Sequence, residues 1–432
     1  MAEPYPTVVL LGTLDTKGRE YEFVRDRLAT SGIRPYVVDF GVLGEPGFAP
    51  DVSAAEVARA GGAPLEELRF SREGSDTRAV ALATMERGAA HLVRALHEQR
   101  RCDGILGLAG SGGSTVISGA MRALPLGVPK LLVSTMASGD VSRFVGTSDI
   151  CLLHSVTDVA GLNRVSRRIL ANAADAIAGM AHGRARADEE SGRPLVAITM
   201  FGVTTPGVVR IQAALEERGF ETIVFHAVGS GGRAMEQMVE EGMIDAVVDY
   251  TTSELTDHEL GGIFDAGPHR LEAAGRRGVP QVIVPGALDV LNFGPENTIP
   301  AAFRAPERRL IVHNPSVSAV RLTPEEAARV GRILAEKVNA ATAPTGILVP
   351  LRGLSKYSAP GGPWLDPAVD GALFASLRQT LRPDIRLQEV DANINDPAFA
   401  DATVAMFERL WSGRTDPVEA FETPRAGVKV KR

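Results

Sequence analysis

The sequence predicts an α/β protein of two doubly wound, Rossmann-like domains that arose by internal duplication. Three observations carry this. Strand-like and helix-like segments alternate, as in "TVVLLGTLDTKGREYEFVRDRLATSGIRPYVVDFG", where apolar Val8–Leu11 leads into Tyr21, Val24 and Leu28 at helical spacing and then into Tyr36–Val38. The strand candidates Val8–Leu11, Ile105–Ala109, Leu131–Val133 and Leu195–Ile198 are continuous apolar runs, as sheets covered on both faces require. The second half repeats the first: Leu195–Ile198 answers Val8–Leu11, Val208, Ile211 and Leu215 answer Tyr21, Val24 and Leu28, and Gly219 answers Gly32, all at one offset.

Further correspondences extend the repeat. Cys102–Ile105 answers Ile244–Val247, "GVPKLLVSTMASGD" answers "GVPQVIVPGALDV", and the strand plus long helix of Ile150–Met180 answers Leu310–Ala341. At 432 residues the chain exceeds one ordinary core. The expected division is a first domain over 1–183, a linker over 184–194 in the polar stretch "HGRARADEESGRP", a second domain over 195–412 and a loosely held tail over 413–432. The first domain carries an insertion at about 45–101 that the second lacks, with helices expected around Ser53–Ala60 and Thr77–Gln99. The second domain adds strands at Gly346–Pro350 and Arg386–Val390, helices at Ala372–Leu381 and Phe399–Trp411, and a Gly- and Pro-rich loop, "RGLSKYSAPGGPWLDP", whose aromatics read as exposed.

Composition narrows the function. A net charge of −7, with no basic run before Lys429–Arg432, argues against nucleic acid as the main ligand. Two cysteines, Cys102 and Cys151, are too few for a disulfide framework or a cysteine-rich metal site and read as reduced thiols. With neither a signal peptide nor a bilayer-length apolar run, the expectation is a cytoplasmic protein with no membrane partner.

The stretch "GLAGSGGSTVISGAMRAL" follows the Ile105–Ala109 strand and opens into a helix. Gly110, Gly112 and Gly113 let backbone approach a ligand, Ser114 and Thr115 suit capping the helix, and with Ser111 they are candidates to meet an anion at its positive end. The first strand–helix loop, Gly12-Thr13-Leu14-Asp15-Thr16-Lys17, lies at the same carboxyl edge, where open α/β sheets hold ligands. Lys17 suits a phosphate, and Asp15 with Thr16 suits Mg²⁺, directly or through water. A third loop, Ser134–Asp140 with Thr135 and Gly139, follows the next strand. Helix entry and solvation explain the same residues without a ligand. In the second domain, Glu254, Asp257, His258 and Glu259, with Asp289 and Asn292 and with His313 and Asn314, end further strands. They are candidates for binding a metal, or for acid–base catalysis on a small carboxylated or phosphorylated metabolite between the domains. Glycine turns recur at Gly229, Gly231 and Gly232, with Arg233 beside them.

Taken in order, "GTLDTKGREYEFVRDRL", "GLAGSGGST", "VSTMASGDV", "FHAVGSGGRAMEQM", "VPGALDVLNFG" and "DANINDPAFADA" resemble the bacterial relatives of the ATP-binding N-terminal domain of the tomato mosaic virus resistance protein, over about residues 5–412. The resemblance implies two Rossmann-like domains, ATP binding and dimers. Nucleotide contact then falls on Gly12–Lys17 and Gly110–Thr115, with Ser134–Asp140 adjoining. The plant protein's additional C-terminal domain has no counterpart here, so antiviral function does not follow. The insertion's apolar Val80, Met85, Leu92, Val93 and Leu96 suggest a homodimer contact bordering the nucleotide loops, or a lid.

Overall fold

A computed structural model describes residues 5–69, 75–184, 192–305 and 308–413. Most of the expected linker, and the tail with Lys429–Arg432, lie outside the described residues. The chain divides into two compact units, Met1–Glu190 and Ser191–Arg432.

Unit 1 runs β1 (Thr7–Gly12), α1 (Leu14–Thr30), β2 (Arg34–Asp39), α2 (Ala54–Ala60), α3 (Leu65–Leu68), α4 (Ser75–Glu98), β3 (Gly104–Ala109), α5 (Ser111–Arg122), β4 (Lys130–Ser134), α6 (Ser142–Val145), β5 (Cys151–His154) and α7 (Arg164–Arg184). Its five strands are parallel in the order β2-β1-β3-β4-β5. Alternation along β1 splits the core into two layers. Val8 and Leu10 pack with Tyr21 and Val24 of α1 and Ile177 of α7, while Val9 and Leu11 pack with Val57 of α2, Met85 of α4 and Val116 of α5. The order reverses between β1 and β3, which opens a crevice at their carboxyl ends.

The insertion's apolar face is buried inside its own unit, which corrects the reason given for a dimer contact. Met85, Val93 and Leu96 join the core against α5, Leu92 is half-buried against the same cluster, and only Val80 stands clear. The helices touch through glycine: a Cβ on Gly88 of α4 would sit 1.9 Å from the Val57 carbonyl of α2.

Unit 2 runs β6 (Leu195–Met200), α8 (Thr205–Glu217), β7 (Glu221–His226), α9 (Ser230–Glu240), β8 (Ala246–Asp249), α10 (Ser253–Leu260), α11 (Ala273–Arg277), β9 (Gln281–Ile283), β10 (Val290–Phe293), β11 (Leu310–Asn314), β12 (Val317–Arg321), α12 (Pro324–Asn339), β13 (Thr345–Pro350), α13 (Pro367–Thr380), β14 (Arg386–Val390) and α14 (Pro397–Ser412). A parallel sheet has the order β14-β13-β9-β8-β6-β7, and β10, β12 and β11 form a separate antiparallel sheet.

Two details of the repeat change. Asp103 accepts the Thr7 N–H at 2.7 Å as Asp245 accepts that of Leu195, and Thr7 pairs with Arg34 as Leu195 pairs with Glu221. Leu195 therefore answers Thr7, and unit 1 carries one more residue between strand and helix. Leu310–Asn314 does not answer β5, because β11 belongs to the antiparallel sheet and β13 takes the place beside β9. Trp364, read as exposed, is 1% exposed and packs edge-on against Tyr357. Among the described residues no helix is long and apolar enough to cross a membrane.

Candidate functional site

A cavity of about 300 Å³ opens at the reversal in unit 1. Thr13, Asp15 and Thr16 form one wall, Gly112 and Gly113 of α5 form the floor, and Phe40 and Leu43 close the side beyond β2. From α4 come Arg78, Leu82 and Met85. The insertion thus supplies both a cation and an apolar wall to a crevice built by the sheet. Helix α5 starts at Ser111, with Gly110 extended at its N-cap and no side-chain cap hydrogen bond. Ser114 and Thr115, expected as caps, therefore lie inside the helix.

The buried Asp39 carboxylate shapes the rim. It accepts the Leu14 and Gly41 N–H groups, both at 2.9 Å, and burial holds its carboxyl above the usual range against those bonds. Nearby Asp15 pushes it the same way. Asp15 Oδ2 accepts the Leu43 and Gly44 N–H groups at 2.8 and 3.2 Å, while Oδ1 is buried with no partner.

Not every residue of the expected nucleotide loops reaches this cavity. Gly12 serves packing, since a Cβ there would lie 1.9 Å from the Tyr21 ring, whose hydroxyl bonds the Leu11 carbonyl. Lys17 Nζ donates to the Val159 carbonyl at 2.5 Å, and its backbone kinks α1. Ser114 is buried and shares a 2.7 Å bond with Ser134, and Thr115 donates back to the Ser111 carbonyl at 3.3 Å. Thr135 lies beside Gly110, whose Cβ would be 3.8 Å from its hydroxyl, and Gly139 closes a turn on Met136. Neither lines the cavity. Asp39, Phe40 and Arg78 were missed by sequence reasoning. Only the position of Asp39 at the end of an apolar strand could have pointed to it.

The acidic candidates of unit 2 do not converge. Glu254 is buried and bonded to Arg270 Nε at 2.7 Å, and its Oε1 accepts the Gly229 and Gly232 N–H groups at 2.7 and 3.0 Å. The "GSGG" turn at the start of α9 is thus filled by the protein's own carboxylate. Asp257 accepts from the Asn292 and Phe264 backbones, and burial pushes its carboxyl up to about 7. His258 bonds Asp265 at 2.9 Å, and Asp289 pairs with Arg321 and accepts from Ser355. Each belongs to a separate network. Among the described residues no group of three or more His, Cys, Asp or Glu is placed to hold a metal ion.

Comparison with known proteins gives the family. Residues 6–186 match the N-terminal domain, and residues 193–411 the C-terminal domain, of an uncharacterised protein family, UPF0261. A UPF0261 protein of Clostridium tetani is 43% identical over 93% of this chain and 98% of its own, and one of Rhizobium meliloti is 42% identical over the same shares. The tomato ToMV resistance protein Tm-1(GCR237) is 40% identical over 77% of this chain, which spans 45% of that protein. Both halves of the chain, in one order and at these identities along nearly its whole length, make it a member of the UPF0261 family.

Proposed function

We propose that unit 1 binds a nucleotide, ATP with Mg²⁺, as the family resemblance implies, with the phosphates on the Gly110–Thr115 turn. The observation that carries this is a contrast between two identical tetrapeptides. "GSGG" begins both α5 and α9; at α9 it is filled by Glu254, whereas at α5 Gly112 and Gly113 line a cavity that also holds Arg78. An uncapped helix start and a guanidinium facing one space suit a phosphate. The cavity lies at the low end of the roughly 300–1,000 Å³ of ligand clefts, and Phe40, Leu82 and Met85 offer an apolar wall to a base. Asp15 lines the cavity and suits a nucleotide-borne Mg²⁺, because Mg²⁺ commonly takes one carboxylate alongside phosphates and water.

Calorimetric titration with ATP and adenosine, with and without Mg²⁺, tests the reading. ATP is expected to bind at least ~10-fold more tightly than adenosine, because phosphate contacts are charge-assisted. A Cβ at Gly112 meets Arg78 and Leu82 no closer than 3.4 Å, so Gly112→Val is expected to fold and fill the cavity. Gly112→Val and Arg78→Ala should each weaken ATP by ~10-fold or more, while Lys17→Ala leaves affinity unchanged. Equal affinities for ATP and adenosine would overturn the phosphate site.

A further inference from the structure

We infer that unit 2 holds a second site, for a neutral single-ring aromatic or heteroaromatic molecule bearing an N–H or O–H donor. The site is a cavity of about 180 Å³ between the carboxyl ends of β6 and β7 and the antiparallel sheet. The chemistry of its wall differs from that of unit 1. Phe201 and Phe264 meet edge to face at 5.9 Å, His226 stands edge-on to Phe201 at 5.7 Å, and Tyr357 closes the far side. Among the described residues no Lys, Arg, Asp or Glu lines it. Such a wall favours a flat apolar ring and disfavours a formal charge, which would lose its hydration without gaining a partner.

One polar side chain of the lining, that of Asn292, defines what the ring must carry. Along β10 alternate residues share a face, so Val290 and Asn292 lie with Ala319, the register partner of Asn292, while Leu291 and Phe293 enter the core. Asn292 is 1% exposed. Its Nδ2 donates to Asp257 Oδ2 at 3.1 Å, which fixes the amide, and its Oδ1 is buried without a partner. Buried acceptors are almost always satisfied, so this orphan calls for a donor from outside the chain. At the rim, His313 Nδ1 lies 3.1 Å from the Tyr357 hydroxyl, both of them lining the cavity, a second polar contact for a ring substituent. An apolar cavity of ~150 Å³ holds benzene, so this volume suits one ring with a small substituent.

The test uses the full chain with phenol, toluene and benzoate, read by saturation-transfer NMR and calorimetry. Phenol should bind, toluene at least ~10-fold more weakly for want of a donor, and benzoate undetectably. Val317→Trp, at the half-exposed start of β12, should fill the cavity and abolish phenol binding with an unchanged circular dichroism spectrum. Asn292→Leu, if it folds, should bring phenol and toluene to the same affinity. Absence of phenol binding at millimolar concentration, equal binding of phenol and toluene to the unsubstituted chain, or phenol binding that survives Val317→Trp would each overturn the inference.

Discussion

Arg270 is fully buried among three carboxylates: its Nη2 meets Asp249 at 2.7 Å, its Nε meets Glu254 at 2.7 Å and its Nη1 meets Glu236 at 3.2 Å. Burial alone would lower the guanidinium pKa, but the surrounding anions outweigh it and raise it well above its ordinary value. Removing one partner of such a group leaves the others charged and dry. Arg270→Met is expected to cost ~3–5 kcal/mol, read by the fluorescence of Trp364 and Trp411, the chain's two tryptophans, both in unit 2. Asp257 gives a pH dependence. Folded, it keeps its proton up to about 7, and unfolded it releases it near ~3.9. The folded state therefore binds more protons between those values, and unit 2 should lose stability as pH rises from ~4 to ~7, with no further loss from this group above. Urea titrations across that range check it, and Asp257→Asn should flatten the slope. These acids were visible in the sequence as a cluster. Arg270, and the pairing of Asn292 with Asp257, were not, because contacts across 16 to 35 positions of chain depend on packing that no spacing encodes.

At the level of elements, the sequence conveyed periodicity well and partnership poorly. Helix α4 was expected from its apolar spacing, yet its stripe was assigned to a partner chain or a lid, because periodicity shows that a face is buried and not by what. The close contact of α4 with α2 depends on Gly61 and Gly88, where a Cβ would run into the Thr84 and Val57 carbonyls. Strand β11 was legible as a strand but not as part of a second sheet, since alternation carries no pairing information. Two glycine substitutions separate packing from propensity. Gly88→Ala drives a Cβ into the Val57 carbonyl and should destabilise unit 1 by ~2 kcal/mol or more, because backbone must move. Gly179→Ala, in the exposed middle of α7 with open space around it, should stabilise unit 1 by ~0.5–1 kcal/mol. Thermal melts followed by circular dichroism distinguish the two signs.

At the scale of the whole chain, the duplication was the most legible feature, because it repeats apolar patterns that each copy needs for its own core. The dimer that the resemblance implies would need a surface other than the apolar stripe of α4. Each unit has core clusters of its own: Val9, Met85 and Val116 belong to one in unit 1, and Ile283, Leu334 and Phe374 to one in unit 2. Each parallel sheet is likewise complete within its unit. A unit that closes its own core and its own sheet has what it needs to fold alone. Residues 193–413, expressed by themselves, should therefore fold with Trp364 buried and with the tryptophan-reported urea midpoint of the full chain. In the full chain, Gly88→Ala should lower the unit 1 transition seen by circular dichroism while leaving the tryptophan midpoint in place. A tryptophan midpoint that falls together with the circular dichroism transition in Gly88→Ala would show instead that the two units unfold as one.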